Sequence, residues 1–221
     1  CGDGDEQLGD GGVAYDAAAQ GDAAVDAGVQ PSAARGAYIV DHVAACGDCH
    51  TPRLKTGAPD PDRYLAGVPC FVDINGPETG GCLHTRNLTD DATGLSDYTD
   101  GEIKDMFQNG FRPNGDALVA FMPSWIFHNM TDLDADSIVV YLRTVPGVDN
   151  AIPANDPEFP PPEDPVPPLD PDADIPMPQT VNNHTMNGRY LAAMAGTCID
   201  CHTALTDEAD ARSLDLAKAL Q

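Results

Sequence analysis

The chain has 221 residues and a formal net charge of −25, from 36 acidic and 11 basic side chains, of which only three are lysine. Such a balance excludes nucleic acid as a partner, because phosphate binding needs clustered Lys and Arg. It marks a heavily solvated exterior, or one that steers toward a basic partner. The sequence has no apolar run of 18 or more residues, so it carries no candidate membrane-spanning helix.

Residues 1–34 begin Cys1-Gly2-Asp3-Gly4-Asp5-Glu6 and continue with Gly, Asp and Ala. They offer few large side chains to bury and are expected to form a disordered acidic tether. A leading Cys followed by small and acidic residues resembles a mature bacterial lipoprotein. The resemblance implies a lipid on Cys1, membrane attachment through it, and a periplasmic or extracellular location.

Residues 35–50 are expected to form one helix, with Tyr38, Ile39, Val43 and Ala44 at helical spacing. It ends in Cys46-Gly47-Asp48-Cys49-His50. Two thiols three positions apart and followed at once by imidazole read as a c-type haem attachment site. Each thiol adds across one vinyl group, and the adjacent His50 supplies the proximal iron ligand. Cys198-Ile199-Asp200-Cys201-His202 repeats the motif, with His202 in the same role. The repeat is wider than the motif: Gly36 and Tyr38 precede the first copy at the offsets of Gly188 and Tyr190 before the second, and Thr51 and Thr203 follow the histidines. A structural zinc site wants four ligands together, and two distant pairs each with its own His fit haem better. Two covalently attached haem c groups are therefore expected. His42, one turn before Cys46, reads as a haem-edge or surface residue.

Residues 51–98 are rich in Gly, Pro and Asp and read as loops that wrap the haem. Cys70 and Cys82 are twelve positions apart around Gly76, Pro77, Gly80 and Gly81, as expected of a loop closed by a disulfide in an oxidising compartment. Arg53, Arg86 and Asn87 are candidates to hold the haem propionates by charge-assisted hydrogen bonds; surface exposure is the equal alternative for each. His84 reads as a loop histidine.

Thr99 is expected to open a helix that buries Ile103, Met106 and Phe107 and stops at Gly110. Met122, between Phe121 and Pro123, is the candidate distal ligand, a thioether that would raise the reduction potential relative to two histidines. Its rival is His128; Met106 and Met130 read as core. Thr131 is expected to cap a further helix to about Arg143, packing across the first motif's helix. Residues 147–181 follow as a Pro- and Asp-rich linker: the stretch 146–178 holds twelve prolines, which excludes helix and central strand and suits a stiff spacer.

Residues 182–221 carry the second motif. No Met or His follows His202, so the second iron lacks a downstream ligand. His184, Met186, the first segment or another subunit are the candidates; Met194, on the motif's own helix, is poorly placed. The simpler account is that the second unit is incomplete in this sequence.

Gly36-x-Tyr38, Cys46 to Arg53, Asn87-Leu88-Thr89-Asp90, Thr93-Gly94-Leu95, Thr99-Asp100-Gly101-Glu102-Ile103, Gly110-x-Arg112-Pro113, Met122-Pro123 and Ile138-Val139-x-Tyr141-Leu142-Arg143 together resemble the multihaem cytochrome c subunits of membrane-associated alcohol and related dehydrogenases. The resemblance covers about residues 36–146 well and 186–221 in part. It implies His50 and Met122 as axial ligands and a relay of electrons from a dehydrogenase toward a respiratory chain.

The expected architecture is all-α: a first class I-like cytochrome c module at 35–146, the linker at 147–181 and a partial second module at 182–221. The expected function is one-electron transfer between redox partner proteins, with no catalysis of its own. Two rivals are a dihaem peroxidase, which needs an open iron position, and a homo-oligomeric filament in which a neighbouring chain donates a haem ligand.

Overall fold

The computed structural model describes residues 29–74 and 81–204. Cys1 and most of the expected tether, residues 75–80, and residues 205–221 lie outside the described residues.

Ser32 accepts a hydrogen bond from the Arg35 amide and starts α1 at Ala33–Tyr38, two residues inside the expected tether. The single helix expected over 35–50 is instead three pieces. A π-helical turn at Ile39–Val43 follows α1. Ala45 then takes a left-handed conformation with φ 52°. The motif forms its own short helix, α2, at Cys46–His50. The break costs something, since a left-handed non-glycine residue is unfavourable by roughly 1–2 kcal/mol. Burial of Ile39, Val40 and Ala44 on the lead-in holds it in place.

The all-α expectation needs a correction. Residues 51–98 contain a two-stranded antiparallel sheet, β1 at Val68–Asp73 and β2 at Cys82–Thr85. Val68 pairs with Thr85, Val72 with Leu83 and Asp73 with Cys82, with an irregularity between Val68 and Val72. The irregularity coincides with Cys70 at φ 53°, yet the strand still alternates half-buried and exposed residues along its whole length. The Cys70 and Cys82 sulfurs are at bonding distance, with Cα atoms 4.6 Å apart, tying the two strands together.

The next helices follow their local signals. α3 spans Asp100–Asn109; Thr99 and Glu102 form a reciprocal capping box, and Gly110 closes it at φ 74°. α4 is a buried turn at Ser124–Phe127. α5 spans Asp132–Leu142 behind a Thr131 cap. It crosses α1 so closely that a Cβ on Gly36 would lie 1.9 Å from the Ser137 carbonyl oxygen.

The linker is not a free spacer. Val166, Leu169 and Ile175 are buried, and the Leu169 amide donates to the Trp125 carbonyl at 3.1 Å. Arg189 donates to the Pro171, Ile175 and Pro176 carbonyls. Arg189 sits on α6, Asn183–Ala193, capped by Asn182; α7 at Cys198–Cys201 carries the second motif. Among the described residues one buried cluster runs from Ile39 and Trp125 through Leu169 to Tyr190, Met194 and Ile199. The second segment therefore shares the core of the first, because two short helices have too little apolar surface to build a core alone.

Candidate functional site

On α2, Cys46 and Cys49 are three positions apart and His50 directly follows, so one short helix presents both thiols and the imidazole. The surrounding loops hold that helix by its carbonyls. Thr85 Oγ1 donates to the Cys49 carbonyl at 2.7 Å, and the Gly67 amide donates to the His50 carbonyl at 2.8 Å. Gly67 is required here: its φ is +83°, and a Cβ would lie 2.7 Å from the Asn87 amide nitrogen. Thr51 Oγ1 accepts from the Leu65 amide at 3.0 Å, tying down the residue after the motif.

His50 Nδ1 lies 2.7 Å from the Arg86 carbonyl oxygen. A carbonyl only accepts, so Nδ1 carries the proton and Nε2 keeps its lone pair. Burial lowers the His50 pKa, which keeps the ring neutral and able to ligate. Burial also pushes the Cys46 thiol up to about 12, and burial with the nearby Asp48 charge raises Cys49.

The expected propionate contacts are placed as follows. Arg86 Nη1 donates to the Ile152 and Pro153 carbonyls at 3.3 and 2.5 Å, and Nη2 to Asn155 Oδ1 at 3.2 Å. Its Nε is buried and has no hydrogen-bond partner. Asn87 is buried and holds the loop together: its amide donates to Thr93 Oγ1 and the Val148 carbonyl and its oxygen accepts from Thr89. Arg53 is largely exposed and donates to the Gly57 carbonyl at 3.1 Å.

Met122 is half-buried and packs against the core immediately before α4. His128 is exposed, with Nδ1 3.0 Å from Asn109 Oδ1. Met130 is buried and Met106 packs against the core edge. His42 is exposed beside Tyr38. His84 Nδ1 accepts from the Cys70 amide at 2.9 Å and so belongs to the hairpin.

At the second motif Cys198, Cys201 and His202 are exposed, while Ile199 anchors α7 in the core. Thr203 Oγ1 is buried without a partner. His184 is exposed at the start of α6, Met186 is half-buried, and Met194 is 1% exposed inside the core. The fold brings the two motifs together. A Cβ on Gly196, two residues before Cys198, would lie 2.9 Å from the carbonyl oxygen of Val43, three residues before Cys46. Asp200 is also close enough for its charge to act on Cys49.

The residues fit covalent haem at both places. Each motif supplies two thiols and an imidazole, and beside each lies a buried polar atom without a partner: Arg86 Nε next to the first, Thr203 Oγ1 next to the second. Sequence reasoning missed the Arg86 carbonyl, the Gly67 contact and the Asn155 hydrogen bond to Arg86. A backbone oxygen 36 residues from His50 leaves no mark on the sequence.

Two short helices, each carrying Cys-x-x-Cys followed at once by His, are the arrangement that covalent attachment of haem c requires. No family model matches the chain. It is 32% identical over 127 residues to a diheme cytochrome c-type protein of Cereibacter sphaeroides, covering 57% of this chain and 39% of that one. It is 34% identical over 116 residues to a fructose dehydrogenase cytochrome subunit of Gluconobacter japonicus, covering 51% and 22%. It is 30% identical over 131 residues to the cytochrome c subunit of a quinone alcohol dehydrogenase of Gluconacetobacter polyoxogenes, covering 55% and 26%. The chain thus spans between about a fifth and two fifths of the length of these relatives. The likeness supports placing it among the multihaem c-type cytochromes and, with them, covalently bound haem c. No helix among the described residues is long and apolar enough to cross a membrane.

Proposed function

We propose that this protein is a dihaem c-type cytochrome that passes single electrons, outside the cytoplasm, between a donor such as a dehydrogenase and a separate acceptor. The observation that carries this reading is the His50–Arg86 hydrogen bond. It fixes the tautomer that leaves Nε2 free on the same short helix as Cys46 and Cys49. Bound haem c supplies the one-electron iron couple; the chain supplies attachment, ligation and burial.

Cys46 and Cys49 hold the first group, with His50 as proximal ligand and Met122 as distal ligand. Arg86 supports the site through its carbonyl and through the buried Nε. Cys198, Cys201 and His202 hold the second group, with His184 or Met186 of α6 as the candidates within this chain for the remaining ligand. The net charge of −25 favours a basic redox partner and fast, salt-sensitive encounter.

The test is intact mass and haem stoichiometry of the protein matured in a host that attaches haem c. Two haems per chain are expected. Replacing Cys46 and Cys49 by Ala, or Cys198 and Cys201 by Ala, should each remove one. A fully matured protein carrying no haem would refute the reading. Rapid peroxide turnover by the two-haem protein would move it to the peroxidase class.

A further inference from the structure

The first residues of the proline-rich linker are hydrogen-bonded across the back of the first site. Asn150 Nδ2 donates to the carbonyls of Ala66 at 2.7 Å and Gly67 at 3.2 Å. Asp156 Oδ2 accepts from the amides of Gly81 at 2.9 Å and Cys82 at 2.8 Å. Between them Asn155 Oδ1 accepts from the His84 amide at 3.0 Å and from Arg86 Nη2 at 3.2 Å. Ile152 and Pro153 take the other guanidinium nitrogen. Asn155 thus holds the backbone entering Arg86 and the side chain of Arg86 at once. The Arg86 carbonyl between those two anchors is the acceptor for His50 Nδ1.

We propose that Asn155 is a positioning residue for the proximal histidine: by fixing the 84–86 segment from the linker side it sets the strength of the His50–Arg86 hydrogen bond, and with it the electron donation of Nε2 to bound iron. This rests on the haem reading of the first motif. A strong bond from Nδ1–H to a carbonyl makes the imidazole a better donor and stabilises the oxidised metal. Releasing Arg86 weakens that bond and raises the reduction potential of the first haem. The linker is then part of the site, and its sequence tunes the potential.

The experiment is a potentiometric titration of the haem-loaded wild type, Asn155→Ala and Asn155→Asp, with haem per chain and denaturation midpoints measured on the same samples. Asn155→Ala should raise one of the two potentials and leave the other in place. Asn155→Asp keeps an oxygen acceptor for both donors and should return that potential toward the wild-type value even if stability differs. Unchanged potentials in Asn155→Ala, or equal shifts in both variants, would overturn the proposal. If Asn155→Ala does not load haem, Asn155→Ser is read in its place by the same criteria. Failure of the wild type itself to carry haem refutes the function proposed above, whereas loaded variants with wild-type potentials refute only the role of Asn155.

Discussion

The Tyr190 hydroxyl donates to Asp134 Oδ2 at 2.5 Å, across 56 residues of sequence. The Tyr190 hydroxyl oxygen also accepts from the Thr131 amide at 3.1 Å, and Arg35 takes the other carboxylate oxygen, Oδ1, of Asp134. Asp134 is 1% exposed. A buried carboxylate is tolerated only when paired and hydrogen-bonded. Here its partners come from α1 and α6, so the charge clamps the segment before the second motif onto the helices around the first.

Tyr190→Phe keeps the ring in the core but leaves an Asp134 oxygen and the Thr131 amide without that partner. A loss of about 1–3 kcal/mol is expected, the cost of leaving a buried hydrogen-bonding group without its partner. Chemical denaturation of wild type and variant, compared at equal haem loading, measures it. No change in the midpoint would mean the clamp is not formed.

Gly36 and Gly188 occupy the same place in the sequence repeat, and the fold treats them in opposite ways. A Cβ on Gly36 would meet the Ser137 carbonyl at 1.9 Å, while a Cβ on Gly188 meets nothing within 4 Å. Gly36→Ala should therefore be strongly destabilising, roughly 2 kcal/mol or more. Gly188→Ala should be neutral or stabilising by up to about 1 kcal/mol, from helix propensity alone. Thermal midpoints of the two variants test the contrast.

Asp156 has its pKa held below the ordinary carboxylate range, chiefly by the Cys82 amide and then by the Gly81 amide. A carboxylate with a depressed folded-state pKa contributes stability above its unfolded pKa and loses it as the pH falls through the folded pKa. The stability gap between wild type and Asp156→Asn should be open at about pH 6 and narrow toward about pH 3. The protection of the Cys82 amide against exchange, taken relative to its intrinsic rate at each pH, should fall over the same window in the wild type. A gap that stays constant with pH would assign the effect to something other than the charge.

Met122→His replaces thioether by imidazole at the candidate distal position. The first haem's potential should fall, because two histidines favour the oxidised iron more than His and Met do. Spectroelectrochemistry, together with loss of the methionine-to-ferric charge-transfer band, reads the change. His128→Ala should leave both unaltered, since that ring is exposed and paired with Asn109.

The linker and the hairpin show where sequence reading stopped. Twelve prolines between residues 146 and 178 correctly exclude regular structure, but they do not say that Val166, Leu169 and Ile175 would be buried. Isolated apolar residues in an irregular stretch have no period to reveal an inward face. The strand at Val68–Asp73 was hidden because Val68-Pro69-Cys70-Phe71-Val72 does not alternate apolar with polar residue types, although the folded strand alternates half-buried with exposed positions.

The sequence by itself determined the two Cys-x-x-Cys-His motifs, the Thr99–Glu102 box, the Thr131 cap and the Gly110 stop. These act through atoms within a few residues of one another, so residue type and spacing state the chemistry in full. Only the tertiary structure decided that Arg86 would orient His50, that Asn155 would hold Arg86, that Tyr190 would reach Asp134, and that Gly196 would seat the second motif against Val43. Those relationships join distant parts of the chain, often through backbone carbonyls that every residue carries. What selects one carbonyl over another is packing of the whole core, which no local pattern encodes.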